Sequence, residues 1–266
     1  MDEIAEYNVE RWRRLVEAGA LFTRPLLNLD AASARATLDP RGWIDELEGR
    51  RVLCLAGGGG RESAAFALLG ASVTVFDLSE EQLGQDRRAA AHYGLEVETI
   101  QGDMRDLSRL HGAGFDLVWH SYSLNFVPEA RAVFREVARV VRPFGLYRVM
   151  CANPFVMGAT TKDWDGRGYA LTNAYVDGAE VEGADEDWVY EHAGREQVRP
   201  PREYRHGLGT LVGGLAEHGF RLLRASEDES LHPKPDAEPG TWDHFVSIVR
   251  PWLTLLSHYD PEASTP

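Results

Sequence analysis

Through the first 150 residues, short apolar runs alternate with amphipathic stretches. Residues 51–55, 72–76, 95–100, 115–119 and 146–151 each read as a buried strand. Helical patterns lie between them. One spans 61–69 and ends at Gly70; a second opens on the Ser79/Gln82 capping pattern and ends near Gly94; a third spans 128–141, stopped by Arg142-Pro143-Phe144-Gly145. Upstream, Ile4, Val9, Trp12, Leu15 and Val16 recur at helical spacing over 2–19, and Asp39-Pro40 reads as the start of a short helix through Leu47. Strict alternation of strand and helix predicts a doubly wound, mostly parallel sheet with right-handed crossovers and helices on both faces.

The rhythm breaks after the fifth strand. Residues 152–200 are rich in acids, glycines and aromatics, including Trp164, Tyr169, Tyr175, Trp188 and Tyr190. They read as an irregular or β-rich insert with candidate strands at 169–176 and 187–192. A helix at 201–218, ended by Gly219, and strands near 220–225 and 244–249 then complete seven strands. The expected organisation is an N-terminal helical lid at 1–48, a core at 49–151, the insert as a cap or dimer arm at 152–200, a return to the core at 201–260, and a tail at 261–266.

Bulk properties narrow the partners. Acids outnumber bases 42 to 28, a formal charge of −14, which repels phosphate backbones and argues against a nucleic-acid substrate. No apolar run approaches the roughly 18–20 residues of a membrane span, and the acidic start is no secretory signal, so the cytoplasm is the default. Cys54 and Cys151 fall in core strands and read as structural thiols; no metal-ligand spacing occurs.

The most informative segment is Val52-Leu53-Cys54-Leu55 followed by Ala56 and the glycines Gly57, Gly58, Gly59 and Gly60, with Asp77 ending the next strand. Glycines keep Cβ atoms off a turn, so a ligand can lie against bare backbone amides. An acid on the neighbouring strand tip can accept hydrogen bonds from a ribose diol. Together they describe a nucleoside-cofactor site at the carboxyl edge of a parallel sheet. The dinucleotide pattern Gly-x-Gly-x-x-Gly fails in both frames, because Glu62 or Ser63 takes the third glycine position, and no P-loop Gly-Lys-Ser/Thr follows.

On these residues the chain resembles the class I S-adenosylmethionine-dependent methyltransferases, especially their small-molecule, type 11-like branch. The family's acid-x-Gly-x-Gly-x-Gly motif falls on Cys54, Ala56, Gly58 and Gly60, with a thiol replacing the acid and alanine the first glycine. Asp77 matches the ribose-binding acid, with Leu78 beside it. Gly102-Asp103-Met104 resembles the stretch that reads adenine. His120-Ser121-Tyr122 falls where the loop after strand four approaches the methionine end and the methyl group. Arg139-Val140-Val141-Arg142-Pro143-Phe144-Gly145 resembles the family's Leu-Arg-Pro-Gly-Gly, with Phe144 in place of a glycine.

The resemblance implies S-adenosyl-L-methionine as cofactor, S-adenosyl-L-homocysteine as product, and a small-molecule methyl acceptor attacked through oxygen or nitrogen rather than carbon. His120 is the first candidate for a general base, Tyr122 and Asn125 for groups facing the methyl or substrate, and His206 for a late helix reaching the pocket. Tyr7, Asn8, Trp12 and the stretch 22–25 are candidates to fold across it. Two alternatives stay open on the motifs: an NAD(P)-dependent oxidoreductase, and a non-catalytic binder of an adenosyl ligand, which the loss of the acid at Cys54 keeps alive. A homodimer is also open.

Overall fold

Buried apolar runs must pair on both edges, and four of the first five strands do so in one sheet, with the third at its edge. The computed structural model describes residues 1–110, 114–183, 198–227 and 233–263. Strands β1 (Arg51–Leu55), β2 (Ser72–Asp77), β3 (Glu98–Gln101), β4 (Phe115–Ser121) and β5 (Val141–Ala152) run parallel. The small strands β6 (Glu180–Glu182) and β7 (Arg202–Tyr204) pair separately, while β8 (Phe220–Ser226) and β9 (Trp252–Tyr259) complete the main sheet. Its order is β3-β2-β1-β4-β5-β9-β8, with β9 antiparallel to both neighbours. This is the expected seven-stranded, mostly parallel sheet.

Alternate residues of each strand face opposite helical layers. Val52, Cys54, Val75, Leu117 and Trp119 pack against α2 (Ala31–Leu38), α3 (Glu62–Leu68) and α4 (Glu80–Tyr93). Leu53, Leu55, Val118, Tyr147 and Val149 pack against α5 (Ala130–Val140) and α6 (Gly214–Glu217). The chain leaves β1 toward β2 on one side and reaches β4 on the other. The carboxyl ends of β1 and β4 therefore frame the switch point where α/β sheets bind ligands.

Four expectations change. The short helix lies upstream of Asp39, at α2, with Asp30 accepting from Ser33 N–H at its N-cap; Asp39 instead accepts from the Trp43 and Ile44 amides. Residues 169–176 form no strand, only a single bridge from Tyr169 to Trp164, and 187–192 lie outside the described residues. Residues 201–218 begin as β7, and helix appears only from Gly209. The last strand is β9, because Thr241 caps α7 (Trp242–Ile248) by accepting from His244 N–H and the Phe245, Val246 and Val249 side chains cluster together.

Both positions where the glycines of the motifs are replaced keep a left-handed backbone: Ala56 has φ 44° and Phe144 φ 59°. Phe144 is 64% exposed, so its ring gives little burial to offset the strain. Phe144→Gly removes about 1–2 kcal/mol of left-handed strain against about 0.4–1 kcal/mol of added unfolded-state entropy. Thermal unfolding is expected to show an unchanged or raised Tm; a clear fall would contradict this reading.

Candidate active site

A cavity of about 470 Å3 opens over the switch point. Ala56, Gly57 and Gly58 line it after β1, Asp77 and Leu78 at the end of β2, Asp103 and Met104 after β3, and Ser121 and Tyr122 at the end of β4. The helix α1 (Glu3–Glu17) adds Asn8 and Trp12, and Phe22 follows. Tyr7 turns away and donates its hydroxyl to Pro200 O.

Two buried carboxylates shape the glycine turn. Gly58 N–H donates to Asp77 Oδ2 at 2.9 Å. Gly59 and Gly60 N–H donate to Asp86 Oδ2 and Oδ1, both at 3.0 Å, and Ser63 Oγ donates to the same carboxylate. Asp86 comes from α4, which approaches so closely that only glycine fits. A Cβ on Gly58 would stand 2.6 Å from Gln82 Cβ, and one on Gly60, at φ +72°, 2.6 Å from Gln85 O. The expectation of amides bared toward a ligand is thus corrected at Gly58, Gly59 and Gly60. Their N–H groups point into the protein, and Gly59 and Gly60 do not line the cavity.

Burial pushes Asp86 up to about 7, against the pull of its hydrogen bonds and with some help from the charge of Asp77. Burial also raises Asp77, whose Oδ1 accepts from Ser79 N–H at 2.9 Å. Cys54 faces the same layer, and its thiol is raised first by burial, then by the charges of Glu62 and Asp86. A carboxylate at position 54 would stand beside those two acids, so the thiol avoids a like-charge conflict. Asp86 gave no motif signal: it is one polar residue within a polar helix.

On the far side of β2, both oxygens of Asp103 are held by Arg105, at 2.6–3.1 Å. Arg105 also donates to Asp2 at 2.7 and 2.9 Å, tying the N-cap of α1 to the cavity rim. Those bonds, above all, hold the Asp2 carboxyl down to about 2.

His120 is not at the cavity. It shares the face of Val118, is fully buried, and its Nδ1 lies 2.9 Å from the Tyr147 hydroxyl. Burial, and then Arg148 and His206, push it down to about 3, so it stays neutral. Its assignments as base and cofactor ligand are withdrawn. Asn125 is structural as well: its amide nitrogen donates to Tyr204 O and its Oδ1 accepts from Ala152 N–H. His206 is buried rather than reaching in, with Nε2 3.0 Å from Leu124 O.

Tyr122 does line the cavity, at φ 43°. Burial raises its phenol well above the usual value, with Glu203 of β7 adjacent and hydrogen-bonded to it. Among the described residues, the aromatic wall comes from outside the insert. Trp164 and Tyr169 pack on His244, and Tyr175 stacks on Phe155. Instead the rings Phe22, Trp12, Phe126, Tyr122, Trp252, Trp242 and Phe245 all line the cavity, successive centroids 5.6, 5.6, 6.5, 6.5, 5.9 and 5.7 Å apart. Of these, Trp12, Phe22 and Tyr122 were legible beforehand. The insert adds Val156, Met157, Gly158, Ala159 and Thr160.

Residues 52–145 match a family model described as a methyltransferase domain. An uncharacterized methyltransferase of Bacillus subtilis, YbaJ, is 29% identical over 239 residues, covering 86% of this chain and 92% of that one. The crystal structure of a putative S-adenosylmethionine-dependent methyltransferase from Listeria monocytogenes superposes with TM-score 0.59 at 18% identity, covering 87% of this chain and all of that one. Residues 52–145 are thus a methyltransferase domain, and the chain has the fold of the S-adenosylmethionine-dependent methyltransferases. The oxidoreductase and non-catalytic alternatives give way, and S-adenosylmethionine is the methyltransferase's cofactor. A ubiquinone biosynthesis O-methyltransferase of Aromatoleum aromaticum is 36% identical over 106 residues, which cover 39% of this chain and 45% of that one. The chain thus matches less than half of that relative's length. Among the described residues no helix is long and apolar enough to cross a membrane, and no cluster of acids, histidines and cysteines suits a metal ion.

Asp86→Ala orphans two loop amides and the Ser63 hydroxyl, each at about 1–3 kcal/mol. Thermal melts are expected to show a large loss of stability. The folded value of Asp86 lies above its ordinary 3.8, so between about 4 and 7 the unfolded chain has released a proton that the folded chain keeps. Stability from this group therefore falls as pH rises through that window. Asp86→Asn, which retains an acceptor, is expected to flatten that slope in denaturant titrations at pH 5 and 7; an unchanged slope would contradict the assignment.

Proposed function

We propose that this methyltransferase moves the methyl group by in-line displacement to an oxygen or nitrogen of a small, largely apolar acceptor. The supporting observation is the arc of seven rings around a cavity of about 470 Å3, which must hold donor and acceptor together. Such a volume lies within the range of small-molecule sites. The name of the Aromatoleum aromaticum relative favours oxygen.

The donor set suits the cofactor. Asp77 keeps carboxylate edge at the cavity for the ribose hydroxyls, Leu78 and Met104 offer apolar faces to the base, and Gly57 and Gly58 leave room beside them. Asp103, although held by Arg105, still faces the cavity for the adenine amine. When bound, S-adenosylmethionine supplies a methyl carbon already activated by its sulfonium leaving group. The chain's own task is then to align the nucleophile and exclude water, which can supply up to about 7–11 kcal/mol. Glu203 replaces His120 as the group that takes a proton from an acceptor O–H or N–H. Tyr122 remains a neutral phenol hydrogen-bonded to it, orienting the carboxylate.

Incubation with S-adenosylmethionine and a panel of phenols, catechols and aromatic amines is expected to yield methylated small molecules. Methyl incorporation only into protein or nucleic acid would overturn the proposal. Asp77→Ala is expected to weaken S-adenosylhomocysteine binding at least tenfold by calorimetry, since charged hydrogen bonds contribute about 1.5–3 kcal/mol. With an accepted phenol, Glu203→Gln is expected to lower kcat by about 10²–10⁴-fold while leaving cofactor affinity unchanged; an unaltered kcat would remove Glu203 from the chemistry.

A further inference from the structure

Ile4, Ala5, Asn8, Arg11 and Trp12 line the cavity from one face of α1, and Asn8 stands at the centre of that stripe. Asparagine is a poor residue for a helix interior, and this one is only 4% exposed. Its amide nitrogen donates to Phe126 O at 3.0 Å, which fixes the side chain and leaves Oδ1 buried without a partner among the described residues. Ser123, also on the cavity wall, repeats the pattern. It opens the short 3₁₀ turn Leu124–Phe126 yet makes no side-chain cap to it. The residue is 6% exposed, and its hydroxyl likewise has no partner among the described residues.

Both oxygens belong to the aromatic side of the cavity. Phe126 O receives Asn8, Phe126 N–H donates to Ser123 O at 3.0 Å, and the Phe126 ring meets Trp12 and Tyr122 edge-on. Glu203 stands in the same region, bonded to Tyr122. Buried hydrogen-bonding groups without partners are costly, and neither oxygen serves the fold around it. We infer that Asn8 and Ser123 set acceptor specificity by receiving a second hydroxyl of the acceptor, one that is not methylated. A hydroxyl suits both side chains, because it donates to the amide oxygen of Asn8 and accepts from the serine. The inference rests on the proposed reading of the acceptor and narrows it, from phenols in general to those that carry two hydroxyls. A site with buried groups that bond a hydroxyl rejects the analogue lacking it far more strongly than an apolar pocket distinguishes one methyl group.

Calorimetry on the S-adenosylhomocysteine-loaded protein compares the three dihydroxybenzenes with the three methylphenols of matching substitution, in which a methyl group of similar size replaces the second hydroxyl. At least one dihydroxybenzene is expected to bind tenfold or more tightly than its methylphenol. Asn8→Leu and Ser123→Ala are each expected to narrow that ratio to within threefold, a change that a general loss of affinity does not produce. Ser123→Ala removes no side-chain hydrogen bond among the described residues, so it keeps the test decisive where Asn8→Leu, which also loses the bond to Phe126, fails to fold. A wild-type protein without the preference, or a preference that survives in either folded variant, would overturn the inference. Methylation of phenols without that preference would overturn it while leaving the proposed function standing.

Discussion

Two buried carboxylates under one glycine turn hold the site in shape. Asp77 takes the amide of Gly58, and Asp86 takes those of Gly59 and Gly60. A turn with three amides directed inward needs acceptors there, since buried donors without partners are costly. It also needs α4 close enough to deliver Asp86, and that proximity leaves no space for side chains at Gly58 and Gly60. The glycines thus serve the protein's own packing first, and the ligand surface they create is a consequence. The same constraint accounts for Cys54, where another acid would add to an already crowded negative charge.

From this turn the cavity divides by chemistry. Polar and charged groups, Asp77, Asp103, Arg61 and Glu62, surround its edge along β1, β2 and β3. Aromatic rings from α1, the segment after β4, α7 and β9 close the other side. Arg105 links the two regions by bonding Asp103 and Asp2 together, so the helix that carries Trp12 is anchored to the loop after β3.

Residues 51–152 were largely legible because burial on both faces writes strands as continuous apolar runs, and Gly70, Gly94 and Ser79 mark helix ends. Beyond them the local signal was weaker than the tertiary one. The stretch 244–249 looks β-branched and strand-like, yet the Thr241 cap and the Phe245 cluster make it helix. His120 was misplaced because its position near the end of β4 says nothing about which face it takes; alternation puts Ser121 toward the cavity and His120 toward Tyr147. Asp86 and Glu203 carried no motif, and only folding brings the first under the turn and the second beside Tyr122.

The most direct test is a crystal structure of the protein with S-adenosylhomocysteine. The ribose hydroxyls should lie within hydrogen-bond distance of Asp77, with Gly59 and Gly60 still donating to Asp86. An adenosine bound elsewhere, or loop amides released from Asp86 to contact the ligand, would contradict the account.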